Sequence, residues 1–185
     1  LYTASSCSGD AVSIIDVSDP YNPVFKGALR DSRFDSVKIS YADGRYVYVT
    51  SVWSKTMTII DVSNPENPFV VGSIQHDDLY DSQKVTKRGR YLYAISSNGL
   101  SIFDIADPTS PSYLNTISTA CNWDIKIYGE RLYCTTYNNQ YFAIYDISDP
   151  DSPILLSTYT GGSRTEHFDI AGNYVYLVSR GDDTL

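Results

Sequence analysis

Both histidines of this chain stand in short polar segments rich in carboxylates, His76-Asp77-Asp78-Leu79-Tyr80-Asp81 and Arg164-Thr165-Glu166-His167. Two further segments, Asp31-Ser32-Arg33-Phe34-Asp35 and Cys121-Asn122-Trp123-Asp124, have the same character without a histidine. An imidazole beside a carboxylate can share acid and base work. Asp35, His76, Asp81, Asp124, Glu166 and His167 could therefore serve a hydrolase or lyase, with a divalent ion assisting. Carboxylates so grouped could also take Ca2+, which wants roughly six to eight oxygens, although no DxDxDG-like loop exists. No Ser or Cys stands at a recognisable nucleophile elbow. The plainer role for Asp in such places is to open a tight turn, its short side chain accepting from a nearby amide.

What must position these segments is a repeat. Asp16-Val17-Ser18-Asp19-Pro20-Tyr21-Asn22-Pro23 returns as Asp61-Val62-Ser63-Asn64-Pro65-Glu66-Asn67-Pro68. It returns again as Asp104-Ile105-Ala106-Asp107-Pro108-Thr109-Ser110-Pro111 and as Asp146-Ile147-Ser148-Asp149-Pro150-Asp151-Ser152-Pro153, at intervals of 45, 43 and 42 residues. An apolar run precedes each copy, as in Met57-Thr58-Ile59-Ile60, and another follows, as in Phe69-Val70-Val71. Earlier in each unit lies a Tyr-rich run such as Tyr91-Leu92-Tyr93-Ala94, preceded by a shorter one such as Ile125-Lys126-Ile127. Gly44, Gly89, Gly129 and Gly172 separate these last two runs, as a hairpin requires. Four short strands per ~43 residues, joined by tight turns, predict an all-β fold of four-stranded antiparallel β-propeller blades. Helical solenoids of similar period would show 3.6-residue spacing, which is absent.

In such blades the four polar segments lead into the innermost strands and gather around the central channel on one face. We expect this face to bind a ligand or partner through Asp35, His76, Asp77, Asp78 and Asp81, together with Trp123, Asp124, Arg164, Glu166 and His167. Trp53 joins them, an aromatic in the loop between second and third strands where other units have small polar residues. No catalytic residue is assigned. Aligned on the inner strand, Lys38, Lys84 and Lys126 share one position with Asp169, and we expect them to bond neighbouring blades. The repeated Tyr2, Tyr48, Tyr93, Tyr133 and Tyr176 are expected in the core, with hydroxyls satisfied between blades.

The units resemble the LVIVD repeat family. Leu100-Ser101-Ile102-Phe103-Asp104-Ile105-Ala106-Asp107-Pro108 is the copy most like its third strand, and Tyr174-Val175-Tyr176 after Gly172-Asn173 resembles its second. Trp-Asp occurs once, at Trp123-Asp124, and Gly-Gly once, at Gly161-Gly162, which sets aside the WD and kelch classes. The resemblance implies a propeller in a mostly secreted or cell-surface setting and implies no reaction. Residue 1 falls within a second strand and residues 180–185 lead into a third. The expected units are therefore 1–30 (partial), 31–75, 76–117, 118–160 and 161–185 (partial), within one domain, 1–185, of a larger ring of about six to eight blades.

Composition narrows the partners. A hydrophobic content of 42% with 19% charged residues argues against disorder. The formal net charge of −8 disfavours nucleic acid and anionic membranes. No apolar run approaches the ~20 residues of a transmembrane helix. There are 19 Asp against three Glu, so much of the acidity is turn chemistry. Cys7, Cys121 and Cys134 show no zinc spacing, and buried free thiols are preferred over a Cys121–Cys134 bridge, because a simple hairpin register does not oppose those two. The functional expectation is a non-enzymatic extracytoplasmic or cell-surface scaffold for protein binding or self-assembly, with no cofactor unless Ca2+. The alternative is a metal-dependent hydrolase or lyase at the channel mouth.

Overall fold

A computed structural model describes residues 2–5, 10–137, 141–161 and 165–179. Five antiparallel sheets follow one another along the chain. The first has three strands, β1 (Tyr2–Ser5), β2 (Ala11–Asp16) and β3 (Val24–Arg30). The second holds β4 (Val37–Asp43), β5 (Tyr46–Ser51), β6 (Thr56–Asp61) and β7 (Phe69–Gln75). The third holds β8 (Lys84–Arg88), β9 (Tyr91–Ser96), β10 (Gly99–Asp104) and β11 (Ser112–Ile117). The fourth holds β12 (Ile125–Tyr128), β13 (Arg131–Thr135), β14 (Phe142–Asp146) and β15 (Ile154–Tyr159), and the last pairs β16 (Thr165–Ala171) with β17 (Tyr174–Ser179). Every sheet is a meander in chain order, and the first strands lie together, β4 beside β8 and β8 beside β12. These are propeller blades, with the first strand of each innermost.

Local chemistry explains where each strand stops. Gly44, Gly89, Gly129 and Gly172 adopt φ of 55 to 59°, the left-handed region a tight hairpin needs and other residues resist. The Asp-Pro repeat forms two Asx turns in succession. In the first, Asp16, Asp61, Asp104 and Asp146 accept from the amides of Ser18, Ser63, Ala106 and Ser148. In the second, Asp19, Asn64, Asp107 and Asp149 accept from the amides two residues on. The same point of every third–fourth pairing carries a register shift, at Ile14/Ile15, Ile59/Ile60, Ile102/Phe103 and Ile144/Tyr145. Such bulges increase local twist, which bends the outer strand away just before the turn.

Apolar faces interleave between successive sheets. Val12, Phe34, Val47 and Ile60 fill the first gap; Met57, Leu79, Leu92 and Phe103 the second; Ile95, Ile102, Leu132 and Tyr145 the third. Tyr48 and Tyr93 are buried in this core as expected, and burial pushes both phenols up to about 12. The Tyr93 hydroxyl nevertheless has no hydrogen-bond partner among the described residues, and Tyr176 is exposed, so the expectation for the row holds only in part.

A second contact joins blades at their rims. A Cβ added to Gly27 would meet the Pro65 carbonyl at 2.5 Å, and one added to Gly72 would meet the Pro108 carbonyl at 2.3 Å. The outer strands β3 and β7 thus receive the Asp-Pro turn of the following blade against a bare backbone. The equivalent residue in β11 is Asn115, whose amide donates to the Asp151 carbonyl at 3.4 Å.

Each first-turn Asp also meets a cation within its own blade: Arg45 with Asp61 at 2.6 Å, Arg131 with Asp146 at 2.5 Å, Lys26 with Asp16 at 3.6 Å, and Arg90 with Asp104. Burial alone would raise the Asp61 carboxyl, but the Ser63 hydroxyl and amide and the Arg45 guanidinium hold it below the usual range. Arg90 lowers Asp104, and the amides of Ser18 and Ser148 lower Asp16 and Asp146. Because folding depresses these values, their stabilisation is complete above the unfolded value near pH ~4 and is lost as pH falls through the folded values. Thermal midpoints should hold steady from about pH 7 to 5 and fall steeply below about pH 4. A midpoint unchanged at about pH 2.5 would contradict that role for the turns.

Candidate functional site

Counting back from the hairpin glycines changes which residues share the channel position. Lys38 pairs with Thr50, Lys84 with Ile95 and His167 with Val178, while the Asp124 carbonyl takes the Thr135 amide. These four are equivalent, one per inner strand. Lys126, opposite Tyr133, and Asp169, opposite Tyr176, lie one step further along, level with Thr86. The alignment that placed Lys126 and Asp169 with Lys38 and Lys84 is therefore corrected by two residues. That alignment followed residue type; the irregularity between Ile39 and Tyr41 accounts only for the one extra residue between Lys38 and its turn.

Neighbouring blades bond along this row. Lys38 donates to the Gln83 amide oxygen, and Lys84 meets Asp124 Oδ1 at 2.5 Å. Asp124 is only 2% exposed; its Oδ1 also accepts from the Ile125 amide at 2.8 Å, and its Oδ2 lies 3.4 Å from His167 Nδ1. One step along, Lys126 donates to Asp169 at 2.7 Å and lies over the Phe168 ring. Burial lowers the Lys38 ammonium, with Asp81 opposing the shift. The Lys126 hydrogen bond is the largest cause lowering Asp169.

The loop before β12 owes its shape to a bond the sequence reading disfavoured. Cys121 and Cys134 form a disulfide, with Cα atoms 5.7 Å apart and both residues buried, so the expectation of free thiols is corrected. Strand register alone opposes Cys134 to Ile125. The chain ahead of β12 folds back, however, and the amides of Asn122 and Trp123 both reach the Thr135 carbonyl at 3.1 Å. That fold-back brings Cys121 over Cys134 and sets Trp123 against Tyr137, with ring centroids 4.4 Å apart.

A separate group forms where the second and third blades meet. His76 stacks on Tyr113 at 3.9 Å, accepts from the Asp78 amide at 3.3 Å and caps a 3-10 turn, Asp77–Leu79. Tyr113 donates to Asp78 at 3.2 Å. Lys55, at φ 54° in the loop after β5, donates to Asp77 at 2.8 Å and lies over the Tyr80 ring. That hydrogen bond is the chief cause holding the Asp77 carboxyl below its usual range. Tyr80 meets Trp53 edge-on at 6.1 Å, and both rings face solvent, Trp53 60% exposed and Tyr80 42%.

The expected site residues thus divide. Trp53, His76, Asp77 and Asp78 belong to one cluster; Trp123, Asp124 and His167 belong to another. Asp81, at φ 54°, takes the Gln83 amide at 2.6 Å, which ties it to the Lys38 contact. Asp35 is exposed. Arg164 lies outside the described residues, as does the Glu166 side chain. Lys55, Tyr113 and Tyr137 were not anticipated. Their only sequence signal is size, large residues where the unit pattern does not require them. Among the described residues, no group of three or more His, Cys, Asp or Glu is arranged to hold a metal ion. No helix among them is long and apolar enough to cross a membrane.

Solved structures of the same architecture are numerous. A Bacteroides uniformis protein provisionally assigned as a 6-phosphogluconolactonase matches with a TM-score of 0.76 at 16% identity, over 97% of this chain and 60% of its own. The periplasmic gluconolactonase PpgL of Pseudomonas aeruginosa matches at 0.65 and 14%, over 96% and 53%. The WD40 domain of Toxoplasma gondii coronin matches at 0.62 and 16%, over 91% and 45%. The chain spans about half to 60% of the length of the first of these matched structures, and likeness at such identity speaks for the fold alone. The class is therefore a β-propeller. Within it the chain belongs to the LVIVD repeat family, whose family model matches residues 8–31, 35–76, 81–119 and 121–161. No curated protein matches by sequence.

Proposed function

We propose that this chain is an extracytoplasmic or cell-surface propeller module that binds a protein partner through the loop face bearing Trp53 and Tyr80. The observation that carries this reading is the exposed edge-on pair itself, contributed by loops of two adjacent blades and braced by Lys55 and Asp77. Large aromatics held rigidly at the surface are the residue types that anchor interfaces. The Cys121–Cys134 bridge supports an oxidising compartment, since such bonds are rare where thiols are kept reduced. Ca2+ has no part in this reading.

The test is comparative capture. Immobilised wild-type chain and the Trp53→Ala/Tyr80→Ala double variant would be exposed at equal loading to surface proteins of the source cell, with bound proteins quantified by mass spectrometry. A partner held by the pair should bind the double variant about 30-fold more weakly, the effect of an anchor worth ~2 kcal/mol. Tyr21→Ala, 96% exposed in the first Asp-Pro turn, should bind as wild type. Equal capture by all three would remove the aromatic face as the binding surface. Concentration-dependent sedimentation of the chain alone would identify the partner as a second copy.

A further inference from the structure

The turn between β9 and β10 latches the loop that carries Tyr80. It has two residues, Ser97 and Asn98, with Ser96 paired to Gly99. Ser96 Oγ donates to the Asp78 carbonyl at 2.6 Å, Ser97 Oγ to the Tyr80 carbonyl at 3.2 Å, and Asn98 Nδ2 to the Asp77 carbonyl at 3.2 Å. That last carbonyl also takes the Tyr80 amide at 3.0 Å, so the Asn98 side chain braces the bond that closes the 3-10 turn. Asn98 is exposed, and it is the one asparagine of the sequence that precedes a glycine. Packing compels that glycine: a Cβ at Gly99 would meet the Ile117 carbonyl at 2.3 Å, and its φ of 127° suits glycine. A neighbour without a side chain leaves its amide nitrogen unhindered beside the Asn98 carboxamide, and asparagine is a thermally labile residue.

We propose that Asn98 is a site of spontaneous deamidation that releases the Tyr80 loop. The deprotonated Gly99 amide nitrogen bonds to Asn98 Cγ; the Cγ–Nδ2 bond breaks, and Nδ2 leaves as ammonia with a proton gained from solvent. Water then opens the five-membered imide at either carbonyl, so asparagine plus water gives ammonia plus an aspartyl or isoaspartyl residue. Both products replace the Nδ2 donor with a carboxylate oxygen facing the Asp77 carbonyl, exchanging a hydrogen bond for repulsion between two acceptors. The isoaspartyl product also lengthens the backbone of a two-residue turn by one carbon, which draws Ser97 off the Tyr80 carbonyl. Tyr80 then loses the support that sets it edge-on to Trp53, and the aromatic face weakens as the molecule ages. This regulation rests on the reading of that face as the binding surface; the chemistry at Asn98 does not.

Purified chain would be aged at mildly alkaline and at mildly acidic pH, with peptide mapping and amide exchange followed by mass spectrometry. The alkaline sample should gain one dalton at Asn98, faster than the acidic one, and release ammonia. Asn115 and Asn122, followed by Thr and Trp, should stay unchanged. Asn98→Gln, whose longer side chain does not close the five-membered ring, should show no gain at that position. Asn98→Asp, made directly, should exchange the Tyr80 amide about tenfold faster than wild type, the scale of one lost hydrogen bond, with exchange in β13 unchanged. In the capture assay, aged wild type and Asn98→Asp should retain less partner than fresh wild type. An Asn98 unchanged by alkaline ageing, or Tyr80 exchange unaltered in both the aged chain and Asn98→Asp, would overturn the proposal. Faster exchange with undiminished capture would instead tell against the aromatic face as the binding surface and leave the modification standing.

Discussion

Reducing the Cys121–Cys134 bridge is expected to cost about 3 kcal/mol of folding free energy, the scale for a short closed loop. The two residues are 13 apart, so the bond restricts the unfolded chain modestly; in the folded state it holds the fold-back ahead of β12. Cys121→Ala/Cys134→Ala should reproduce the loss seen with reductant, read as a lowered denaturation midpoint. The loss should also be visible locally. Trp123 packs on Tyr137 from the loop that the bridge helps to pin, so its fluorescence should shift on reduction before global unfolding. If midpoint and fluorescence both ignore reductant, the bridge does not support this loop.

Gly72→Val should be about as damaging, near 3 kcal/mol, and for a different reason. The atoms a Cβ would strike are the Pro108 carbonyl, at 2.3 Å, and the Thr109 backbone, at 3.0 Å. Backbone in a turn fixed by two Asx bonds has little freedom to yield, so the two blades must separate at their rim. Ser157 occupies the corresponding register position in β15 and is exposed; Ser157→Ala should change stability by less than about 0.5 kcal/mol. Equal midpoints for the Gly72 and Ser157 variants would mean that the turn does not bear on the outer strand.

Which features could be read from sequence follows from how local their causes are. The Asp-Pro turns were legible because each Asx bond spans two residues, and the hairpin glycines because a positive φ restricts residue type at that one position. The channel row was not. Lys38 stands six residues before Gly44, while Lys84, Asp124 and His167 each stand five before their glycines. Aligning on residue type favoured Lys126, whereas the count back from the glycines, which strand pairing matches, puts Asp124 and His167 in its place. The disulfide was missed for a related reason. Register within a strand says nothing about a loop that doubles back, and the amide pair on Thr135 is a contact with no sequence signature. The aromatic face was half visible: Trp53 departs from the unit pattern, whereas Tyr80 gains meaning only once the two blades are adjacent.

The seating of each Asp-Pro turn on the blade before it gives the arc a polarity. The outer strands β3, β7 and β11 are each protected by the turn of the next sheet, so a lesion in one turn should first appear upstream. Loosening the Pro108 turn would raise amide exchange in β7 before it raised exchange in β11, the outer strand of its own sheet. With coupling confined to neighbours, the stability of the arc is approximately a sum of unit and junction terms. Loops on the channel face lie away from those junctions. Trp53 and Tyr80 are thus free to be exchanged for other recognition chemistry while the order of the blades is kept.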